Sequence, residues 1–342
     1  MRRFYLIAFF GLLAFYGGVV IHFGEALRSE IVPRLAAQAE SAFSASRTAA
    51  PTATVSTDSS EKTLVFVGDI MLSRGVAHQI EKKNDSRYPF LKVAEVTGRA
   101  DMAFANLEGP ISSRGQNQGS LYSFRDDPKV VEGLTYSGFD VLSIANNHIM
   151  DWGQVALQDT VNILKAAGIH SVGAGRNEEE ANQPYIVELG DTNIAYLAYT
   201  TLYPKSFEAG KDAAGVSHFD LEAVTKKIQE LKSSKAADIV IVSFHWGEEY
   251  QTQPLASQKE IARALIDAGA DLIIGHHPHV VQEIEHYKNG WIAYSLGNFV
   301  FDQGFSEGTK KGLMLVVKIK NRAVSGVAFR DILINDTFQP SL

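Results

Sequence analysis

The chain has 342 residues, a net charge of −7, 45% hydrophobic residues and no cysteine. That length holds one large domain with appendages. A mild acidic excess without basic tracts argues against a nucleic-acid partner, and the lack of cysteine excludes disulfides, thiolate nucleophiles and cysteine-based zinc sites.

Arg2 and Arg3 precede an uncharged, mostly apolar run from Phe4 to Phe23, long enough to cross a bilayer as a helix. A cleaved signal peptide is the competing reading, but Gly24-Glu25-Ala26 is a poor small-x-small cleavage site. The run is therefore read as an uncleaved anchor, and residues 1–26 as a cytoplasmic tip and transmembrane helix. The paired arginines place the rest of this single-pass protein outside the cytoplasm. Residues 27–62 are read as a stalk and linker. Leu27, Ile31 and Leu35 sit at helical spacing. From Ser44 to Lys62 the composition turns to Ala, Ser and Thr, which cannot fill a core and predicts a flexible tether.

The folded domain is expected over residues 63–336. It opens with Thr63-Leu-Val-Phe-Val-Gly-Asp69, a continuous apolar run of the kind a strand buried on both faces requires, ending in a carboxylate. The pattern recurs. Met102 to Ala105 leads into Asn106-Leu-Glu108, Val141 to Ala145 into Asn146-Asn-His148, and Asp238 to Phe244 into His245-Trp-Gly247. Asp271 to Ile274 runs into Gly275-His-His-Pro-His279. Helical stretches are expected from Gln154 to Ala167, Leu221 to Leu231 and Ser257 to Ala268. Strands alternating with helices predict βαβ units and a mainly parallel sheet. A strand pair around Gly190-Asp-Thr-Asn193 and further strands near Trp291–Leu296, Leu313–Lys318 and Val324–Leu333 close the domain with antiparallel pairing.

Each of the five parallel candidates ends in Asp, Glu, Asn or His. In open α/β sheets the carboxyl ends of strands deliver ligands into a crevice. Carboxylates, amide oxygens and imidazoles together suit a divalent cation such as Mn, Fe or Zn. Asp69 and Glu108 are the candidate bridges if two ions sit about 3.5–4 Å apart. Blander readings exist: His148 could cap the helix after Asp151, and His245 could be a satisfied core histidine. His22, His78, His170, His218 and His286 lie outside these motifs. No P-loop is present.

Six motifs carry a resemblance. Gly68-Asp-Ile-Met-Leu72, Ala105-Asn-Leu-Glu-Gly-Pro110, Ala145-Asn-Asn-His-Ile-Met-Asp-Trp-Gly153, Phe244-His-Trp-Gly247, Gly275-His-His-Pro-His279 and Tyr294-Ser-Leu-Gly-Asn-Phe299 resemble, in order, the bacterial capsule-synthesis CapA family. That family is associated with poly-γ-glutamate capsule production and is related to calcineurin-like metallophosphatases. The resemblance implies an α/β fold, a layered sandwich of mixed, largely parallel sheets flanked by helices. It implies metal ligands at Asp69, Glu108, Asn147, His245, His277 and His279, holding one or two ions, with His148 as general acid or phosphate contact. Asn106, Arg74, His276 and Asn298 are the substrate-side candidates. Departures are plain: the metallophosphatase Asp-x-His is Asp69-Ile-Met71 here, Glu108 stands where a bridging Asp is usual, and no acidic residue follows His148.

Two functional classes follow. One is an envelope metallohydrolase acting on phosphoester or amide bonds of an anionic polymer or phosphoester substrate. The other is a non-catalytic, metal-binding component of a capsule-polymer assembly or export complex, with membrane proteins as partners. Joining glutamates needs ATP, which is not supplied outside the cytoplasmic membrane, so the chain is not expected to be the synthetase.

Overall fold

The computed structural model describes residues 61–342. The anchor expected at Phe4–Phe23, the helical stretch that follows it and nearly all of the tether lie outside these residues. Among the described residues no helix is long and apolar enough to cross a membrane.

The first strand, β1 (Lys62–Ile70), begins on the last residue assigned to the tether. Next come helix α1 (Arg74–Lys83), the short α2 (Ala94–Thr97), β2 (Met102–Leu107), α3 (Val131–Tyr136), β3 (Val141–Ser143), α4 (Gly153–Ala166), β4 (His170–Val172) and β5 (Ala174–Gly175). Helix α5 (Glu178–Asn182) leads into the hairpin β6 (Tyr185–Leu189) and β7 (Thr192–Thr200), then β8 (Gly215–Val216). The order continues through α6 (Leu221–Ser233), β9 (Ile239–His245), α7 (Ala256–Asp267), β10 (Leu272–His276), β11 (Ile284–Tyr287), β12 (Gly290–Ala293) and β13 (Asn298–Val300). Strands β14 (Lys311–Lys320), β15 (Ala323–Ile334) and β16 (Pro340–Ser341) finish it, so the sheet runs past the expected boundary at 336.

The strands form two large sheets where the alternation of elements predicted one. In the first, β16-β15-β14-β1-β2-β3-β4 lie side by side and β13 also pairs with β1. Strands β1 to β4 are parallel, and β14 to β16 add antiparallel neighbours. The second sheet has the order β11-β12-β10-β9-β7-β6, parallel in its centre and antiparallel at both margins.

Side-chain alternation explains the layering. Leu64, Phe66 and Phe104 of the first sheet pack against Tyr196, Ile239, Ile241, Leu272 and Ile274 of the second. The opposite face of the first sheet, through Val65 and Val67, meets Val76 of α1 and Leu157 and Leu164 of α4. The outer face of the second, through Val240, Val242 and Ile273, meets Val224 and Ile228 of α6 and Leu265 of α7. The result is a four-layer α/β/β/α sandwich. Phe104 stacks on Tyr196 at 5.9 Å and packs against Phe66 at 5.7 Å, tying the sheets together. Truncating such a ring to alanine typically costs about 3–5 kcal/mol.

The same alternation carries the polar residues. Two residues beyond Phe104 comes Asn106, two beyond Ile274 comes His276 and four beyond Ile241 comes His245, all facing the space between the sheets. The site therefore opens where the inter-sheet core ends, at the carboxyl ends of both sheets. Register places Asp69 between Asn298 and Asn106, and His276 opposite His245. Gly68 makes this possible. A Cβ there would lie 1.9 Å from the Gly297 carbonyl oxygen, which accepts the Asp69 N–H at 3.0 Å.

Candidate functional site

Asp69 is fully buried, and both of its oxygens are held. Asn106 Nδ2 donates to Oδ1 at 2.8 Å, and the backbone N–H of His277 donates to Oδ2 at 3.2 Å. His279 Nδ1 lies 3.4 Å from Oδ2 and 3.0 Å from Asn298 Oδ1. On its other edge, His279 Nε2 faces Glu108 Oε1 at 3.6 Å, and His148 Nε2 faces the same oxygen at 3.8 Å. Across the cleft His245 Nε2 lies 2.8 Å from Asn147 Oδ1 and 3.2 Å from His277 Nδ1. All six expected metal ligands and His148 thus meet at one place, but they come from two sheet edges and not from one.

His277 and His279 both have positive φ, at 97° and 56°. For residues with a Cβ this is a strained conformation, which persists only where surrounding structure over-determines it. Here the turn is tied down by the N–H of His277 on Asp69 and by the Pro278 carbonyl, which accepts the Tyr250 N–H at 2.8 Å.

Burial dominates the electrostatics. It pushes the Asp69 carboxyl up, but the contacts with His276 and His279 outweigh it and hold Asp69 well below its ordinary value. It pushes Glu108 up to about 7. For His279 burial works against the proton, yet Glu108 and Asp69 overcome it and lift the ring to about 9. Burial, then the charge on His279, brings His277 down to about 3. His245 is held well below its ordinary range by burial and then by His277. A cation requires deprotonated donors: His245 and His277 are already held neutral, and a bound cation would displace the proton that His279 holds beside Glu108 and Asp69.

Glu108 Oε1 decides whether a cation fits. It is buried and has no hydrogen-bond partner, a state that normally costs stability. His279 Nε2 and His148 Nε2 stand off from it at 3.6 and 3.8 Å, too long for hydrogen bonds but suitable for atoms that share an ion. Asp69, Glu108 and His279 each offer a ligand atom, all within 4.8 Å of one another. The donor set fits a divalent metal.

The substrate-side candidates divide. Arg74 lines a cavity of about 180 Å³ together with His148, His279, Glu249, Tyr122 and Phe305. Asn106, His276 and Asn298 are fully buried and do not line it. Asn106 instead links Asp69 to Asn146, whose Nδ2 donates to Asn106 Oδ1 at 3.1 Å, and Asn298 orients His279. The pleat of β10 turns His276 inward, beside Phe104 and 3.1 Å from Asp69 Oδ1.

Two residues in the site had no assigned role. Asp151 Oδ2 lies 2.8 Å from His148 Nδ1, and the spacing of three in Asn-His-x-x-Asp was the available signal. Glu249 lines the cavity. Its exposed neighbour Glu248 made the pair ambiguous in sequence.

With this geometry in place, comparison with known proteins settles the family. The model of the bacterial capsule synthesis protein PGA_cap matches residues 63–303. The chain belongs to that family. The capsule biosynthesis protein CapA of Bacillus anthracis is 34% identical over 277 residues, covering 79% of this chain and 66% of that protein. The PGA biosynthesis protein CapA of Bacillus subtilis is 38% identical over 248 residues, covering 70% and 63% respectively. The chain thus spans slightly less than two thirds of the length of these relatives. Among solved structures, NAD nucleotidase of Haemophilus influenzae overlaps at a TM-score of 0.47 with 11% identity, covering 82% of this chain and 59% of that one. That overlap is too loose to bear on function. The PGA_cap match begins one residue after β1 does and ends just past β13, so it contains every residue of the site.

Proposed function

We propose that this PGA_cap protein is a membrane-anchored, extracytoplasmic, divalent-metal-dependent hydrolase. Its substrates would be phosphoester or amide bonds of an anionic polymer of the poly-γ-glutamate kind, or of its precursors. The observation that carries the reading is the buried Glu108 Oε1, which has no hydrogen bond and faces His279 Nε2 and His148 Nε2 beside an open cavity. Asp69, Glu108, Asn147, His245, His277 and His279 would hold one or two ions. A bound divalent cation supplies Lewis-acid polarisation of a substrate oxygen and eases deprotonation of the attacking water.

The chain's own residues supply the rest. Both Asp151 oxygens already accept hydrogen bonds, from Ser120 Oγ at 2.7 Å and from the Phe124 N–H at 2.8 Å. The His148 contact is therefore one in which Nδ1–H donates, leaving Nε2 to face the cavity. Phe124 covers one face of that ring at 4.1 Å and keeps it from turning. A protonated Nε2 can give its proton to a leaving group, which is general acid work. Arg74 adds positive charge at the cavity, stacked over Phe124 and Tyr122 and paired with Asp302 at 2.7 Å.

The test is a screen of the metal-loaded protein against phosphoesters and γ-glutamyl amides. Metal-dependent cleavage of either class supports the proposal. Metal binding without cleavage of either would make this a binding component of a capsule-polymer complex.

A further inference from the structure

Glu249 sits in the turn after β9, on the second sheet, and none of the family motifs quoted above includes it. It is half-buried and lines the 180 Å³ cavity beside His148 and His279. One oxygen of its carboxylate, one nitrogen of His277 and one of His279 all lie within 4.8 Å of one another. This group overlaps the Asp69–Glu108–His279 group at His279 and continues it toward the cavity.

The backbone holds Glu249 there. Its neighbour Tyr250 has φ of 65° and donates its N–H to the Pro278 carbonyl at 2.8 Å, so the Glu249 turn and the His277–His279 turn are laced together. Two residues before Glu249, Gly247 has φ of 83° and leaves no room for a Cβ, which would lie 2.8 Å from the Gln258 side chain. On the opposite side Met71, just after β1, is fully buried and its sulfur accepts from Ser73 Oγ at 3.0 Å, so Asp69 is the donor from this stretch.

We propose that Glu249 is a direct ligand of the divalent cation, reaching in from the second sheet beside His277 and His279 and forming the cavity-facing side of its shell. This rests on the metal reading above. It makes the shell richer in carboxylate than the motifs of the first sheet provide, which favours hard ions such as Mn²⁺.

The experiment is Mn²⁺ titration of the metal-stripped full chain, read by calorimetry, together with thermal unfolding of the metal-free protein. Glu249→Gln should weaken Mn²⁺ binding by about tenfold or more and leave the metal-free unfolding temperature unchanged. Glu248→Gln, one residue away on the exposed side, should bind as wild type does. Glu249→Asp, which keeps the carboxylate, should bind more tightly than Glu249→Gln. If Glu249→Gln binds Mn²⁺ like wild type while Glu108→Gln does not, the assignment of Glu249 is overturned and the metal reading stands. If wild type binds Zn²⁺ in a parallel titration but no Mn²⁺, the carboxylate-rich shell proposed here is overturned and the metal reading stands; if it binds neither ion, the metal reading falls and this inference with it.

Discussion

His148 Nδ1 lies 2.8 Å from Asp151 Oδ2, three residues along the same turn, and this contact fixes which nitrogen faces the cavity. His148→Ala should lower turnover by about 10²–10⁴ while the metal stays bound, the usual magnitude of general acid help. Asp151→Asn keeps the volume but offers Nδ1 a donor or a poorer acceptor. It should lower turnover by less than His148→Ala, again with metal retained. Metal content by mass spectrometry beside steady-state rates checks both. Metal loss in either variant would place these residues in the shell instead.

Bystander histidines give the matching control. His218 pairs with Glu208 at 3.0 Å on the surface, and His286 stacks on Trp291 at 4.4 Å on the margin of the second sheet. Replacing either by alanine should leave metal content unchanged, whereas His279→Ala should lower it. Equal loss from all three would show that the assay is following stability.

Much of this was legible because the fold writes it locally. Apolar runs that end in Asp69, Asn106, His245 and His277 mark strands and their carboxyl ends, and the structure gathers those residues in one cleft. What the runs do not carry is partnership. Nothing in the periodicity of β7, β9, β10 and β12 says that they pair with one another and leave β1 to β4 in a separate sheet. Nor does a His-His-Pro-His string show that the pleat buries His276 in the core while His277 and His279 turn to the cleft. Asn106 and Asn298 are substrate-side candidates in sequence, yet both are fully buried behind the cavity, where they hold Asp69 and His279. Glu249 escaped notice because two adjacent acids in a turn look alike until the backbone aims one of them inward.

Asp126 offers a test outside the cation site. It is fully buried, its Oδ1 accepts the Leu72 N–H at 3.2 Å, and its Oδ2 has no hydrogen-bond partner. Burial raises its pKa well above 3.8. A carboxyl that holds its proton more tightly when folded contributes stability that is complete below its unfolded value and is lost as pH rises through the folded value. Asp126→Asn cannot ionise, so its stability relative to wild type should improve as pH is raised above about 4. Thermal unfolding of both proteins at several pH values checks this. A constant difference would show that Asp126 titrates normally.

The orientation expected from Arg2, Arg3 and the Phe4–Phe23 run is open to a direct check. Protease added to intact spheroplasts should remove the domain at residues 61–342. Protection until lysis would place the domain on the cytoplasmic side and remove the extracytoplasmic part of the proposal.

In the proposed site Glu108 gathers a catalytic cation with Asp69 and His279. The most direct test of this is the metal content and metal-dependent turnover of Glu108→Gln beside wild type, with the cleaved substrate class as assay. An amide keeps the size of the side chain but cannot serve a cation as the carboxylate does. The variant should fold, lose the cation and lose turnover with it. A Glu108→Gln protein with full metal and full activity would contradict it.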